Sequence, residues 1–222
     1  MPELRFDSIT KRYGEVTAVN SLSLTVKAGE FFVLLGPSGA GKSSLVSCLT
    51  GFISPDSGTI TIGDKQVEGP GVSVVPRDRG ISAVSQEGGL WPHMTVRKHL
   101  EFVLSGRLER HEVQARVVKY LTMVRLDDKQ SRFPHELSGG ERQRLSLARS
   151  LCVENPLLLL DEPFANLDRP LVLELIADVN RLHRELGLTT LLITHQQEDA
   201  LFVANRMGVM CNGGIIQCSL PA

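Results

Sequence analysis

Gly36-Pro37-Ser38-Gly39-Ala40-Gly41-Lys42-Ser43 decides how the rest of the chain reads. The apolar run Phe31-Phe32-Val33-Leu34-Leu35 precedes it and has the density of a parallel strand buried on both faces. Ser44-Leu45-Val46-Ser47-Cys48-Leu49 follows with the pattern of a helix start. The whole is G-x-x-x-x-G-K-S in a strand–loop–helix setting. Gly36, Gly39 and Gly41 let the backbone wrap a phosphate with several N–H groups pointing inward. The helix behind adds roughly half a positive charge at its N-terminus. Lys42 supplies a full charge for the outer phosphates, and the Ser43 hydroxyl is placed to ligate Mg²⁺. An ordinary glycine turn has no need of Lys-Ser in that register, so the stretch implies a nucleoside triphosphate.

Composition narrows the class. In 222 residues, 24 Lys and Arg face 25 Asp and Glu for a net charge of −1, which gives no electrostatic footprint for nucleic acid or a polybasic membrane anchor. Cys48, Cys152, Cys211 and Cys218 are scattered without a C-x-x-C pair, and three of them lie in apolar surroundings. Buried free thiols in a reducing compartment are expected, not a metal site or disulfides. Met1-Pro2-Glu3-Leu4-Arg5 lacks the apolar core of a signal peptide, and no apolar run approaches a membrane span. A soluble, cytoplasmic chain able to dock on a membrane protein is expected.

Along the chain, 4–9 and 22–26 alternate apolar and polar residues, as antiparallel strands with one face in solvent do. Tyr13, between them, either stacks on a base or caps the edge of the core. Thr59–Ile62 and Ile81–Ser85 read as strands, and the Gly- and Pro-rich stretch 67–79 reads as surface loop. Gln86, at a strand end before Gly88-Gly89, is either a plain loop glutamine or a functional side chain. Two helices are expected over 95–124, with Val113, Val117, Tyr120, Leu121 and Val124 at helical spacing.

Leu137-Ser138-Gly139-Gly140-Glu141 carries the S-x-x-E spacing of a capping box. The cap explains Ser138 and Glu141. It does not explain two glycines in a first turn, where each costs about 1 kcal/mol against alanine. We read a second anion site there. Leu157-Leu158-Leu159-Leu160 is a buried strand ending in Asp161-Glu162, and paired carboxylates at such a place are poor filler. Asp161 can hold Mg²⁺ through water, and Glu162 can polarise an attacking water. Asn166-Leu167-Asp168 is a polar turn before a helix with a core stripe. The strand 189–194 ends in His195, at the sheet edge where phosphates sit.

Together these residues resemble an ATP-binding-cassette ATPase over essentially the whole chain. The resemblance implies an α/β fold: a P-loop, RecA-like core with an antiparallel β subdomain and an inserted α-helical subdomain. The expected division is 1–88 and 155–222 for the core and 89–154 for the helical part. The cofactors implied are ATP and Mg²⁺. Tyr13 would stack on adenine, with 36–43 and Ser44 around the phosphates. Ser43, Gln86 and Asp161 would serve the metal. Lys42, Gln86, Glu162 and His195 would serve hydrolysis, His195 holding the γ-phosphate and the attacking water. Leu137, Ser138, Gly139, Gly140 and Glu141 would close on the ATP of a second copy paired head to tail. Asn166, Leu167 and Asp168 would speak across that dimer.

The segments 86–96, 164–168 and 194–200 resemble importers of ferric iron, polyamines and sugars, with Gln86-Glu87-Gly88 leaning toward iron. The implied partners are a second ATPase copy, permease subunits and an external solute-binding protein, at the cytoplasmic face of the cell membrane. Such ATPases often continue into a regulatory barrel where this chain ends, as a short form or a truncation. An exporter or lipid-extraction ATPase would carry similar motifs. A soluble cassette acting on nucleic acid or ribosomes would bring a second cassette or a coiled-coil insertion, and neither is present.

Overall fold

The computed structural model describes residues 1–85, 88–165 and 167–220; Gln86, Glu87, Asn166, Pro221 and Ala222 lie outside them. The chain divides into two compact units, 1–81 with 156–162 and 183–222, and 82–155 with 163–182. The second unit thus includes 82–85 and 163–182, which the sequence-based division placed with the core.

In the first unit, β1 (Leu4–Tyr13), β2 (Val16–Val26), β4 (Ser57–Ile62), β5 (Lys65–Gly69) and β6 (Val72–Ser73) form an antiparallel sheet in the order β2-β1-β4-β5-β6. β1 and β2 are longer than their alternation suggested. Register shifts between Phe6 and Ile9, with Ser8 at φ 52° and Ser21 at φ 45°, break the period of two without ending the pairing. Tyr13 therefore ends a strand, directly opposite Val16 across a tight turn.

The second sheet of this unit runs β11 (Gly214–Ser219), β10 (Arg206–Cys211), β3 (Phe31–Leu35), β9 (Thr189–Thr194), β8 (Leu157–Asp161). β3 is parallel to both β10 and β9, and β8 is parallel to β9. Phe32, Leu34, Leu157, Leu159, Leu191 and Ile193 cover one face and pack against the inner face of the antiparallel sheet and helix α1 (Lys42–Thr50). Near-continuous apolar strands are what burial on both faces demands.

The stretch 67–79, expected as surface loop, instead contributes to β5, β6 and a single 3₁₀ turn at Pro76–Asp78. It also delivers Arg79, only 2% exposed, to the interior. Turn-forming residues hid a long-range ion pair with Glu68, which no local pattern reveals.

The second unit carries 82–85 of β7 (Ile81–Ser85), then α2 (Val96–Leu104), α3 (Arg110–Met123), α4 (Gly139–Leu151) and α5 (Arg169–Leu186). The two helices expected over 95–124 are α2 and α3, and Val117, Tyr120 and Leu121 are buried. Arg144 of α4 donates from Nε to Asp178 of α5 at 3.0 Å, joining the two helices. No helix of the described residues is long and apolar enough to cross a membrane.

Of the four cysteines, Cys48 and Cys152 are buried, Cys211 is half-buried and Cys218 is exposed. Burial pushes the Cys48 thiol up to about 11 and the Cys152 thiol up to about 12, away from thiolate chemistry. In the native protein an aromatic disulfide reagent at pH 8 should modify Cys218 first and leave Cys48 and Cys152 intact until denaturant is added. Rapid native labelling of Cys48 or Cys152, read by peptide mapping, would contradict this packing.

Candidate nucleotide site

The register of the parallel sheet assembles the site. Leu35 pairs with Thr194 and Asp161 with Ile193, so the chain leaves β3 at Gly36, β9 at His195 and β8 at Glu162 along one sheet edge. This edge lies at the carboxyl ends of the strands, where open α/β sheets bind ligands.

Three backbone contacts fix the loop at 36–41. A methyl group at Gly36 would lie 2.6 Å from the Met210 carbonyl oxygen, and one at Gly41 would lie 2.0 Å from that of Ala18. Gly41 has φ 101°, which also favours glycine. The Gly213 N–H donates to the Ala40 carbonyl at 3.0 Å. By contrast, a methyl at Gly39 would meet nothing within 4 Å, so the loop is open on that side. Pro37, Ser38 and Gly39 are exposed, as is Ser43, while Ser44 is half-buried.

Lys42 is 8% exposed. Its ammonium donates to the carbonyls of Gly36 at 2.6 Å and Pro37 at 3.1 Å and stands 4.0 Å from Glu162 Oε1. Glu162 sits in the left-handed region at φ 48° with its N–H bonded to the Ile193 carbonyl at 2.9 Å. Such a conformation costs a non-glycine residue on the order of 1–3 kcal/mol and tends to persist where function needs the side chain aimed. Glu162 Oε2 accepts from His195 Nδ1–H at 2.8 Å. The Gln196 amide lies 3.2 Å from His195 Nε2, which assigns the ring proton to Nδ1. Gln196 was not singled out from sequence; only its neighbour's strand-end position gives a signal for it.

Burial, and then the charge of Glu162, raise the Asp161 carboxyl above its ordinary value, with Lys42 opposing. An anion held so beside another anion fits a divalent cation. A lysine, a hydroxyl-bearing helix start, two strand-end carboxylates and an imidazole thus converge on a loop of backbone N–H groups. The arrangement can hold a triphosphate and orient a water toward it.

Tyr13 is 51% exposed at the tip of β1, with the Lys11 ammonium 5.6 Å from its ring centre. The ring is exposed, as a base-stacking side chain must be. Gln86 and Asn166 fall outside the described residues.

In the second unit the capping box at 138–141 is formed. Ser138 Oγ accepts from the Glu141 N–H at 3.3 Å, and Glu141 accepts from the Ser138 N–H at 2.9 Å. Lys129, and then the Ser138 N–H, hold the Glu141 carboxyl below its ordinary range. Leu137 is buried and Ser138 exposed. The two glycines have different reasons. A methyl at Gly140 would come within 2.4 Å of the Leu171 side chain, so packing gives this glycine a reason besides ligand access. A methyl at Gly139 would make only ordinary contact, 3.4 Å from Leu167. Leu167 is half-buried there, and the Asp168 carbonyl accepts the Val172 N–H at 3.0 Å as α5 starts.

A phosphate loop on this edge of a parallel sheet defines a P-loop nucleotide-binding protein. The family model described as "ABC transporter" matches residues 19–165, and the chain belongs to that family. It is 42% identical to the trehalose/maltose import ATP-binding protein MalK of Thermococcus litoralis, over 100% of this chain and 60% of that protein. Identity is 45% to the sulfate/thiosulfate import ATP-binding protein CysA of Mycobacterium tuberculosis, over 96% of this chain and 60% of that one. It is 36% to the Fe(3+) ions import ATP-binding protein FbpC of Fusobacterium nucleatum, over 98% and 58%. The chain therefore spans about 60% of the length of these relatives. The dimeric structure of MJ0796, a bacterial ABC transporter cassette, superposes with a TM-score of 0.85 at 27% identity over 99% of both chains. The fold is the mixed α/β cassette fold expected from the sequence.

An acid whose folded pKa is raised binds its proton more tightly folded than unfolded. Stability then falls as pH climbs from the unfolded value to the folded one, and stays lower above. Asp161→Asn should consequently raise the melting temperature of nucleotide-free protein at pH 7.5, with the gain shrinking as pH falls toward the usual carboxylate range. An unchanged or lowered melting temperature at pH 7.5 would mean that the Asp161 charge is not a burden on the fold.

Proposed function

We propose that this chain is the ATP-binding and ATP-hydrolysing subunit of an importer, working beneath membrane permease subunits as a head-to-tail pair. The observation that carries the reading is the Glu162 carboxylate held 2.8 Å from His195 Nδ1 and 4.0 Å from the Lys42 ammonium, at the mouth of the glycine loop. The loop N–H groups and Lys42 bind the phosphates. Glu162 accepts a hydrogen bond from the attacking water and takes its proton. With ATP bound, His195 donates a ring N–H to the γ-phosphate in place of its bond to Glu162. Tyr13 stacks on adenine. Ser43 and Asp161, together with Gln86, would hold a Mg²⁺ ion, which would neutralise charge building on the phosphate oxygens.

Ser138 and Gly139, at an exposed helix N-terminus, close on the nucleotide of the second copy, backed by Leu137, Gly140 and Glu141. Sealing expels water and strengthens every charge contact inside. Asn166, Leu167 and Asp168 line the meeting of the two copies. Relatives named for sugar, sulfate and ferric iron import support an importer, with an external solute-binding protein as a further partner at the cytoplasmic face. The iron-named relative is the least identical of the three, so ferric iron has no preference over other solutes.

Glu162→Gln should keep ATP affinity, cut turnover by about 10²–10⁴-fold and accumulate an ATP-bound dimer on size exclusion. Normal turnover in that variant would remove Glu162 from the role of base.

A further inference from the structure

The far end of α1 is gripped by a buried ion pair that the mechanism above does not use. The side chains of Arg79 and Glu68 are 0% and 4% exposed and directly paired. Every arm of the Arg79 guanidinium is engaged. Nη1 donates to the carbonyls of Cys48 at 2.8 Å and Leu49 at 3.0 Å, Nε donates to the Val74 carbonyl at 2.7 Å, and Nη2 donates to Glu68. Cys48 and Leu49 lie in the last turn of α1, whose first residue is Lys42. A cation there satisfies orphan carbonyls and complements the negative end of the helix. Gly51 ends the helix at φ 83°, and a methyl on it would come within 2.5 Å of Arg79 Nε.

Glu68 belongs to β5, which pairs with β4; β4 pairs with β1, the strand that ends in Tyr13. The connection is reinforced just after α1. The Asp56 carboxylate accepts from the Arg12 N–H at 2.6 Å, and Lys11 Nζ donates to the Ser54 carbonyl at 2.9 Å. At its other end α1 meets the same sheet where Gly41 presses on Ala18 of β2. The helix that begins at the phosphate loop packs its Leu45, Cys48 and Leu49 into the core beneath the sheet bearing Tyr13, and its two ends are fixed by Gly41 and by Arg79.

We propose that Arg79, held by Glu68, is a positioning residue for the nucleotide: by pinning the C-terminal end of α1 it sets the spacing between the phosphate loop and the adenine-stacking face of Tyr13. This rests on the Tyr13 stacking role proposed above. Without the pin, the C-terminal end of α1 shifts against the sheet within the limits its core packing allows; the loop, held by Gly36 and Gly41, keeps its shape, but base and phosphates are no longer reached together.

The proposal separates two ligands. In Arg79→Lys, which keeps a cation beside Glu68, Mg-ATP affinity by titration calorimetry should fall roughly tenfold, the scale of one lost base–aromatic stack. Affinity for Mg-tripolyphosphate, which has no base, should stay within about twofold. If Arg79→Lys does not fold, the double variant Glu68→Gln/Arg79→Met removes both buried charges together and should give the same split. Equal weakening of the two ligands, or no change in a folded variant, overturns the proposal. Tyr13→Ala is the control and should show the same split. If it does so while the Arg79 variants do not, the positioning role alone falls. If Tyr13→Ala leaves the ratio of the two affinities unchanged, the stacking role fails and takes this proposal with it.

Discussion

The structure depends on the close approach of bare backbone at the head of α1. A polyanion can leave water only if fixed dipoles and cations replace its hydration, and those must be held before the ligand arrives. Here the loop is held by contacts that admit no side chain: Gly36 on the Met210 carbonyl and Gly41 on the Ala18 carbonyl, with Ala40 tied to Gly213. The parallel sheet supplies Met210, and the antiparallel sheet supplies Ala18. The site therefore needs both sheets of the first unit.

The same economy of space gathers unfavourable elements at one edge. Asp161 is half-buried next to another carboxylate, Glu162 holds a left-handed backbone, and Lys42 is nearly covered. A bound cation and phosphate would offset the burial of the Asp161 and Lys42 charges, while the fold itself bears the backbone strain at Glu162. The apolar strands beneath, among them Phe32, Leu34, Leu159 and Ile193, provide the burial that offsets such local losses.

Much of this was legible in the sequence because it is local. The phosphate loop between an apolar strand and a helix, the capping spacing of Ser138 and Glu141, and the carboxylates closing a leucine run each fit within a few residues. What escaped is long-range. The bulges at Ser8 and Ser21 hid the true length of β1 and β2, and with it the strand-end position of Tyr13. Arg79 was concealed by a Gly- and Pro-rich context, because its partners are at Cys48, Leu49, Glu68 and Val74. Gly140 has a packing neighbour, the Leu171 side chain, that no local pattern reveals.

The central claim is that hydrolysis needs two copies, since Glu162 and Ser138 are proposed to act on one ATP from different chains. It is tested most directly by measuring ATP turnover per chain as the chain concentration is raised through the monomer–dimer range seen by sedimentation. The account predicts turnover per chain that rises steeply with concentration and levels off once the dimer is filled. A rate per chain that stays constant while the protein is monomeric would contradict it.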